Sequence, residues 1–332
     1  MPSCLLECPF GLNLFLSMSL ARLRRLMLHI KLANQMHTIQ DLGRFGFASQ
    51  GVAHAGPMDS IAACWANHLL RNPVTCPMIE IGFGGFVAEF VEDVNFAITG
   101  AWGEISLNGY PLAGPGAYPA PAGSELRIGQ LDSGLFTYLA VDAGFEVHPI
   151  LGSVATCQRD LLGGLHQTGA SLSSGDALIY QKTKLMAAQL MPRRYLESYS
   201  NPLVCEIIFR VTDNFESAAF DQFLHQSYKV SQEQSRMGYR LHGQSIINAS
   251  SPRYSVPIPL GGVQITPSGQ PIVLMRDHQS LGGYPLLGTV TRRSLGQLAQ
   301  RRSGQQVSFR AVSLDEARVD FVRCQKFFGD FR

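Results

Sequence analysis

From Leu28 onward the chain consists mostly of short stretches in which apolar and polar residues alternate, interrupted by Gly, Pro or Asn-Gly. This pattern is typical of β-strands joined by tight turns. The dipeptide Asn108-Gly109, between two apolar runs, is the strongest hairpin signal. The clearest predicted strands are 94–99, 104–107, 136–141 and 177–180 in the first half, and 203–211, 262–266, 271–275 and 307–312 in the second. We therefore predict a mainly β chain built from barrel or sandwich units.

Helical patterns are few. Apolar residues spaced by four predict a helix over Met58–Leu70, which Asn72-Pro73 ends. Shorter helices are predicted at 214–224 and 295–301, and a capping box at Ser313 to Glu316 opens a last one. The polar stretch 182–202 shows no strand alternation, so we place the domain boundary there. The two predicted domains, 28–190 and 203–325, have ordinary domain sizes.

The first 27 residues do not fit either domain. Residues 1–20 are apolar, but the basic residues follow the apolar run instead of preceding it, which argues against a signal peptide. Pro9, Gly11 and Asn13 interrupt the run, which argues against a membrane span. We expect residues 1–27 to be an extension that is disordered or precedes the true start, with Met18 or Met27 as the initiator.

Composition excludes several classes of protein. The 332 residues carry 27 Lys and Arg against 25 Asp and Glu, a net charge of +2, and 45% are apolar. A nucleic-acid-binding surface needs clustered basic residues, which this balance does not indicate. The seven cysteines form no CxxC pair, so we expect neither a disulfide framework nor a metal site. Reduced thiols are typical of a cytoplasmic protein, and we expect no membrane association.

Common catalytic motifs are missing from the sequence. It contains no G-x-x-x-x-G-K-[ST] loop, no G-x-S-x-G, no H-E-x-x-H and no Met-Lys-Met biotin acceptor. The glycine-rich stretch Gly82–Gly85 follows a predicted strand but opens no helix, so a tight turn between strands is the simpler interpretation. General motifs therefore leave the chemistry open.

Three other segments are richer in polar residues and glycine than packing requires. The first runs from Thr38 through Asp41 and Arg44 to Gly56-Pro57-Met58-Asp59. Asp41 and Arg44 are spaced to form a pair across a turn. That pair would either belong to a site or hold a loop in place, and the local sequence favours the second.

The second segment, Arg236-Met-Gly-Tyr239-Arg240-Leu241, places two arginines around a glycine, an arrangement suited to a carboxylate or phosphate. A solvated turn explains it equally well. The third segment runs from Gln264 and Gln270 to Asp277-His278-Gln279 and Gly283-Tyr284. His278 follows an apolar strand and is a candidate general base or acid, with Asp277 as its orienting carboxylate. A structural histidine is the alternative.

Together these segments resemble the allophanate hydrolase subunit 2 family, also described as the biotin-dependent carboxyltransferase-domain family. The resemblance covers about Leu28 to Ala317. It is carried by T-I-Q-D-L-G-R, A-G-P-M-D-S, E-I-G-F-G-G, R-M-G-Y-R-L, G-V-Q followed by G-Q-P-I-V-L, D-H-Q-S-L-G-G-Y-P and V-S-L-D-E-A. The sequence departs from the family at Phe45, where proline is common, and at His278, where many members have arginine.

The resemblance implies two cyclophilin-like β-barrel domains, and an activity as the third subunit of a prokaryotic 5-oxoprolinase. Such a complex opens 5-oxo-L-proline to L-glutamate with ATP, which the complex binds, and this chain carries no attached biotin. The implied partners are a smaller, homologous B-type subunit and a lactam-utilisation-type protein as the A-type subunit. On this basis Asp41, Asp277 and His278 are candidate proton carriers or orienting groups. The candidate substrate contacts are Arg44, Met58, Asp59, Arg236, Tyr239, Arg240, Gln264, Gln270, Gln279, Gly283 and Tyr284.

Two other functions remain open from the sequence. The first is carboxyl transfer from a carboxybiotin carrier to urea or a similar amide, which the same resemblance implies. The second is a non-catalytic role as an antagonist that binds a smaller homologous regulatory protein. The assignment of mechanism to these residues requires that the segments around residues 41, 238 and 278 meet in one polar cleft between the two barrels.

Overall fold

A computed structural model of the chain describes residues 26–200, 202–210, 215–246 and 254–329. The predicted extension, residues 1–27, lies outside the described residues apart from Leu26 and Met27. Within the described ranges, no helix is long and apolar enough to cross a membrane.

The N-terminal half is built on one sheet of ten strands. Its two longest strands, β5 and β8, pair with each other along most of their lengths, and four of the other eight strands pair directly with one of them. The strands are β1 (Met27–Leu32), β2 (His37–Gln40), β3 (Met78–Gly82), β4 (Phe86–Phe90), β5 (Val94–Leu107), β6 (Tyr110–Pro111), β7 (Gly116–Ala120), β8 (Ser124–Val141), β9 (Ala177–Ile179) and β10 (Gln189–Leu190).

The predicted hairpin is confirmed. Leu107 of β5 pairs with Tyr110 of β6, so Asn108 and Gly109 form a two-residue turn. Their φ angles are 53° and 79°, the left-handed values that a type I′ turn requires and that Asn and Gly tolerate best. The glycine-rich stretch Gly82–Gly85 likewise forms the turn between β3 and β4, as expected.

The C-terminal half forms a closed seven-stranded barrel, in the order β11-β18-β15-β16-β13-β12-β19. A parallel pairing of β11 with β19 contributes to the closure. Two further short strands, β14 and β17, pair outside the barrel. The strands are β11 (Leu203–Phe209), β12 (Tyr228–Gln234), β13 (Gly238–His242), β14 (Val256–Pro257), β15 (Gly262–Ile265), β16 (Pro271–Leu274), β17 (Leu281–Gly282), β18 (Leu286–Val290) and β19 (Gln306–Ala311).

The described residues form four α-helices: α1 (Ser60–Leu69), α2 (Ser217–Leu224), α3 (Arg292–Ala299) and α4 (Leu314–Phe328). The helix α1 begins two residues later than predicted because Asp59 is its N-cap and accepts a hydrogen bond from the amide of Ala62. The capping box of α4 is present as predicted. The expectation of a mainly β chain with few helices is confirmed.

Two apolar cores lie side by side. One fills the N-terminal sheet, with Leu28, Phe86 and Phe96 among its fully buried members. The other continues from α1 and β8 into the interior of the barrel. The buried helix α1 thus packs between the sheet and the barrel, and the two halves share one continuous apolar interface.

Part of the segment that joins the two halves forms a strand of the N-terminal sheet. Within the stretch expected to be an irregular boundary, β10 pairs with β7. The chain then passes over α1, where the ring of Tyr195 lies 4.8 Å from that of Trp65. The first barrel strand begins at Leu203.

Candidate active site

A cleft of about 610 Å³ lies on the outer face of the barrel. Its floor is formed by β13, β16 and β15, whose register places Arg240, Ile272 and Gln264 in one row. Because side chains alternate along a strand, the neighbouring row of Tyr239, Val273 and Val263 points into the barrel core. The alternation of these strands therefore produces a polar outer surface above an apolar interior.

Three loops and the end of β12 form the rim of the cleft. His278 and Gln279 follow β16, Gly283 and Tyr284 lie between β17 and β18, and residues 232–235 close the opposite side. Six predicted site residues thus line one cleft: Arg240, Gln264, His278, Gln279, Gly283 and Tyr284. Residues far apart in the sequence meet here because the barrel brings β13, β15 and β16 together.

His278 is the strongest candidate for a proton acceptor in this cleft. Its Nδ1 lies 2.6 Å from the carbonyl oxygen of Gln279. A carbonyl can only accept a hydrogen bond, so Nδ1 carries the proton and Nε2 has a free lone pair. Among the residues that the structure describes, none makes a hydrogen bond to Nε2. Burial lowers the pKa of His278 and outweighs the opposing hydrogen bond to Gln279, and the charge of Arg159 lowers it further, so the ring is neutral near pH 7.

Arg240 and Gln264 supply the other polar groups on the floor. Arg240 is exposed and its Nε lies 2.7 Å from Oε2 of Glu233. Gln264 is buried, and its amide nitrogen donates to the carbonyl of Tyr284 at 3.2 Å, which leaves its amide oxygen available as an acceptor. Among its described residues the cleft thus combines an exposed arginine paired with a carboxylate, a neutral imidazole and amide groups. Such a set suits a small polar molecule with an amide and a carboxylate.

Arg159, which no sequence motif marks, connects the N-terminal half to this cleft. Its guanidinium donates to the carbonyl oxygens of His278 at 2.9 Å and Gly51 at 3.0 Å, and its Nε lies 2.9 Å from Asp160. The residue lies in no glycine-rich segment, and its contact with His278 spans 119 positions, so local sequence carries no signal that could have found it.

Arg236 and Asp277 do not line the cleft, in contrast to the prediction. Arg236 donates to both oxygens of Asp277 at 2.8 and 3.0 Å, to Glu80 at 2.5 Å and to the carbonyl of Gly56 at 2.7 Å. Burial disfavours the charge of Arg236, but Asp277 and Glu80 outweigh it and raise its pKa. These residues form a buried ion cluster between the two halves.

Asp41 and Arg44 also take structural positions, and they do not pair with each other. Asp41 accepts hydrogen bonds from Gly43, Ser153 and Val154. Arg44 is 1% exposed and donates to the carbonyl of Ile150 at 3.2 Å. Both side chains therefore fasten the loop near residue 43 to residues 150–154. The two residues hold a loop, as the local sequence favours, but they do so separately.

The remaining predicted contacts are packing or turn residues. Met58 is buried, with its amide donating to Glu80 at 2.6 Å. Asp59 caps α1 and accepts from Tyr199 and Gln300. The hydroxyl of buried Tyr239 donates to Ala299, and Gln270 bonds both backbone groups of Gly243. Eight of the predicted residues thus lie outside the cleft: Asp41, Arg44, Met58, Asp59, Arg236, Tyr239, Gln270 and Asp277.

A second cavity, of about 330 Å³, lies beside α1 beneath residues 191–199, with Trp65, Trp102 and Tyr199 among its walls. Its charged lining residues are Asp59, Glu197 and Arg293, of which Glu197 and Arg293 pair with each other at 2.8 Å. No group of three or more His, Cys, Asp or Glu side chains that suits a metal ion occurs in the described ranges. Six predicted site residues line the outer-face cleft and one, Asp59, lines this cavity, so the cleft is the better candidate for chemistry.

Residues 50–311 match the family model for the carboxyltransferase domain, subdomain A and B, and the chain belongs to that family. The family resemblance inferred from the motifs is confirmed. Among curated relatives, the C subunit of 5-oxoprolinase from Escherichia coli K12 is 36% identical over 91% of this chain and 96% of its own length. The protein of the same name from Haemophilus influenzae is 35% identical over 84% of this chain and 89% of its own length.

Solved structures agree on the fold. The protein TTHA0988 is 31% identical with a TM-score of 0.75 over 86% of this chain, which spans 56% of that protein's length. The urea amidolyase of Kluyveromyces lactis has a TM-score of 0.83 over 93% of this chain and 20% of its own length. At 24% identity that second likeness concerns the fold alone.

Proposed function

We propose that this chain is a component of a 5-oxoprolinase that opens 5-oxo-L-proline to L-glutamate with ATP. The observation that carries the proposal is the pair of relatives named as C subunits of 5-oxoprolinase, which match 84% and 91% of the chain at 35% and 36% identity. The contents of the outer-face cleft support it, because 5-oxoproline has the amide and the carboxylate that this set of groups suits.

The proposed roles follow from the hydrogen-bonding and charged groups that the cleft residues leave available to a ligand. Arg240 binds the carboxylate of 5-oxoproline, because its exposed pair with Glu233 is weak and can be exchanged. The free amide oxygen of Gln264 accepts from the lactam N–H. The side-chain amide of Gln279 and the hydroxyl of Tyr284 orient the ring from the rim. Nε2 of neutral His278 accepts a proton from the attacking water or the activated lactam.

ATP is proposed to bind mainly on a partner protein of the complex. Lactams resist attack by water until their oxygen is activated, and phosphorylation would supply that activation. Among the described residues that line the cleft, Arg240 is the single cationic side chain, and a triphosphate needs more positive charge than that. We therefore propose a complex, in the cytoplasm, with a smaller homologous B-type subunit and a lactam-utilisation-type protein as its A-type subunit.

The test is glutamate release from 5-oxoproline and ATP by this chain reconstituted with both partner proteins. We expect turnover by the complex and none by the chain alone. His278→Gln should reduce kcat by about 10²–10⁴-fold, the usual worth of a general base. As a matched control, His242→Gln alters an exposed histidine of β13 that does not line the cleft and should retain full activity. A complex that assembles but releases no glutamate contradicts the proposal.

A second candidate is carboxyl transfer to urea or a related amide. It is favoured by the family model and by the urea amidolyase of Lachancea kluyveri, which is 27% identical over 85% of this chain. The sequence has no biotin acceptor, so this function needs a separate biotinylated carrier. Avidin capture of such a carrier with this chain, with bicarbonate-dependent carboxylation of urea, would support it over lactam opening.

A further inference from the structure

Arg276 is a buried cation that, among the residues the structure describes, pairs with no carboxylate. The residue is 3% exposed, and its Nε is buried without a hydrogen-bond partner. Across residues 26–200, 202–210, 215–246 and 254–329, its guanidinium makes no ion pair within 4 Å. Taking a charged group out of water without pairing costs several kcal/mol, so native proteins rarely leave one in this state.

The neighbouring Arg236 shows what a paired arginine looks like in the same region. All three of its guanidinium nitrogens have acceptors, at Asp277, Glu80 and Gly56. The carboxylates of that cluster are engaged elsewhere. Both oxygens of Asp277 bond Arg236, and the second oxygen of Glu80 accepts from Met58 and Tyr138. Neither carboxylate bonds Arg276, although Glu80 acts on it through its charge.

The other groups around Arg276 are cationic or neutral. Arg292, at the start of α3, repels it most among the charged side chains, and Arg236 adds to the effect. Burial and these charges lower the pKa of Arg276 to about 10, so the group still carries its charge at neutral pH. His54 and Cys64 also lie within the electrostatic reach of Arg276. Burial lowers the pKa of His54 and raises that of Cys64 to about 12, so neither supplies a negative charge at pH 7.

The position of Arg276 separates it from the outer-face cleft. Its side chain is not among the cleft-lining residues, although His278 two positions later is. Its carbonyl accepts from the amide of Ala55 at 3.1 Å, which binds the loop before α1 to the barrel. The groups around it come from both halves: Ala55 and Cys64 belong to the N-terminal half, and Arg292 belongs to the C-terminal half.

We infer that Arg276 is the centre of a small-anion site between the two halves, distinct from the proposed catalytic cleft. The ligand class is a small carboxylate-type oxyanion, because the guanidinium fork matches a carboxylate with two parallel hydrogen bonds. Because Arg276 is almost completely buried, we take formate, the smallest carboxylate, as the probe. Binding there stabilises the contact between the halves, since the anion offsets positive charge contributed at their junction.

The experiment is thermal unfolding of the full chain in sodium formate and in sodium gluconate at equal sodium concentrations. Gluconate has a carboxylate but is too bulky to enter, so it controls for ionic strength. In wild type we expect formate to raise Tm by roughly 2–4 °C for each tenfold increase above its Kd, with no such rise in gluconate. Equal responses to the two salts would overturn the proposal without any variant.

Two matched substitutions locate the effect. Arg276→Met removes the charge at similar length and should abolish the formate-specific rise. It should leave Tm in gluconate unchanged or higher, because an unpaired buried charge is gone. Arg127→Met removes an exposed arginine and should keep the rise. A persistent formate response in folded Arg276→Met would refute the site. Should that variant not fold, calorimetric titration of wild type decides: saturable formate binding supports the site, and its absence overturns it.

Discussion

At the scale of single residues, the position and tautomer of His278 depend on two backbone carbonyl contacts. The Gln279 carbonyl fixes the proton on Nδ1, and Arg159 holds the carbonyl of His278 itself. Arg159 also lowers the pKa of His278 through its charge, after the larger effect of burial. A low pKa keeps the ring neutral, and therefore able to accept a proton, in mildly acidic solution. Arg159 is thus a positioning residue for the proposed base.

The pH profile of glutamate release should reveal this role. In wild type we expect the acid limb of kcat below the ordinary histidine pKa of about 6.5, since the folded pKa is lowered. Arg159→Met removes a positive charge near the ring, so the pKa of His278 rises and the acid limb moves to higher pH. Arg127→Met, which alters an exposed arginine on β8, should leave the limb in place. A lower kcat with an unmoved limb would show that Arg159 has only a structural role.

At the scale of elements, the first turn of α1 depends on Asp59, which bonds residues from both halves. Its carboxylate accepts from Ala62 in its own helix, and from Tyr199 and Gln300 in the later chain. Gln300 in turn bonds the amides of Leu135 and Phe136 in β8, each at 2.8 Å. Full burial raises the pKa of Asp59 despite these donors. The surroundings of Asp59 therefore use its oxygens as hydrogen-bond acceptors but disfavour its negative charge.

Two substitutions of Asp59 should distinguish the effect of its capping hydrogen bonds on stability from the effect of its charge. Asp59→Ala removes the acceptors and should cost about 1–2 kcal/mol or more of unfolding free energy. Asp59→Asn keeps one acceptor oxygen and should cost less. Because the folded pKa is raised, wild type loses stability as pH rises from about 4 through that pKa, and Asn does not. Urea titrations at pH 4.5 and 8 should show Asn improving relative to wild type at the higher pH. If the difference in unfolding free energy between wild type and Asp59→Asn were the same at both pH values, the raised pKa would be contradicted.

The elements that could be predicted from the sequence are those fixed by neighbouring residues. Asn108-Gly109 specifies its turn by two φ angles, and Ser313 with Glu316 specifies a helix start within four residues. The row of Arg240 and Gln264 could be anticipated only as members of two separate motifs, because the register that joins them passes through β16. The partners of Arg236 could not be predicted, because Glu80 lies 156 positions away. Nothing in the R-M-G-Y-R segment itself indicates which of its two arginines is buried and which is exposed.

At the scale of the whole molecule, the Arg236 cluster and α1 make the two halves one structural unit. Arg236 and Asp277 come from the barrel half, whereas Glu80 and Gly56 come from the sheet half. The cluster lies next to the apolar interface around α1, and its members are almost completely buried. Removing one partner would leave the others charged and unpaired in a medium of low polarity, which costs far more than losing an exposed pair.

The two arginines of R-M-G-Y-R provide a matched test of this view. Arg236→Met should lower the free energy of unfolding by about 3–5 kcal/mol, because Glu80 and Asp277 lose their buried counterion. Arg240→Met, four residues later, removes an exposed pair with Glu233 and should cost about 0–1 kcal/mol while weakening 5-oxoproline binding. Urea unfolding followed by tryptophan fluorescence measures the first effect, and KM measures the second. If Arg236→Met instead kept its stability and lost only activity, Arg236 would be a substrate contact and the halves would be joined by apolar packing alone.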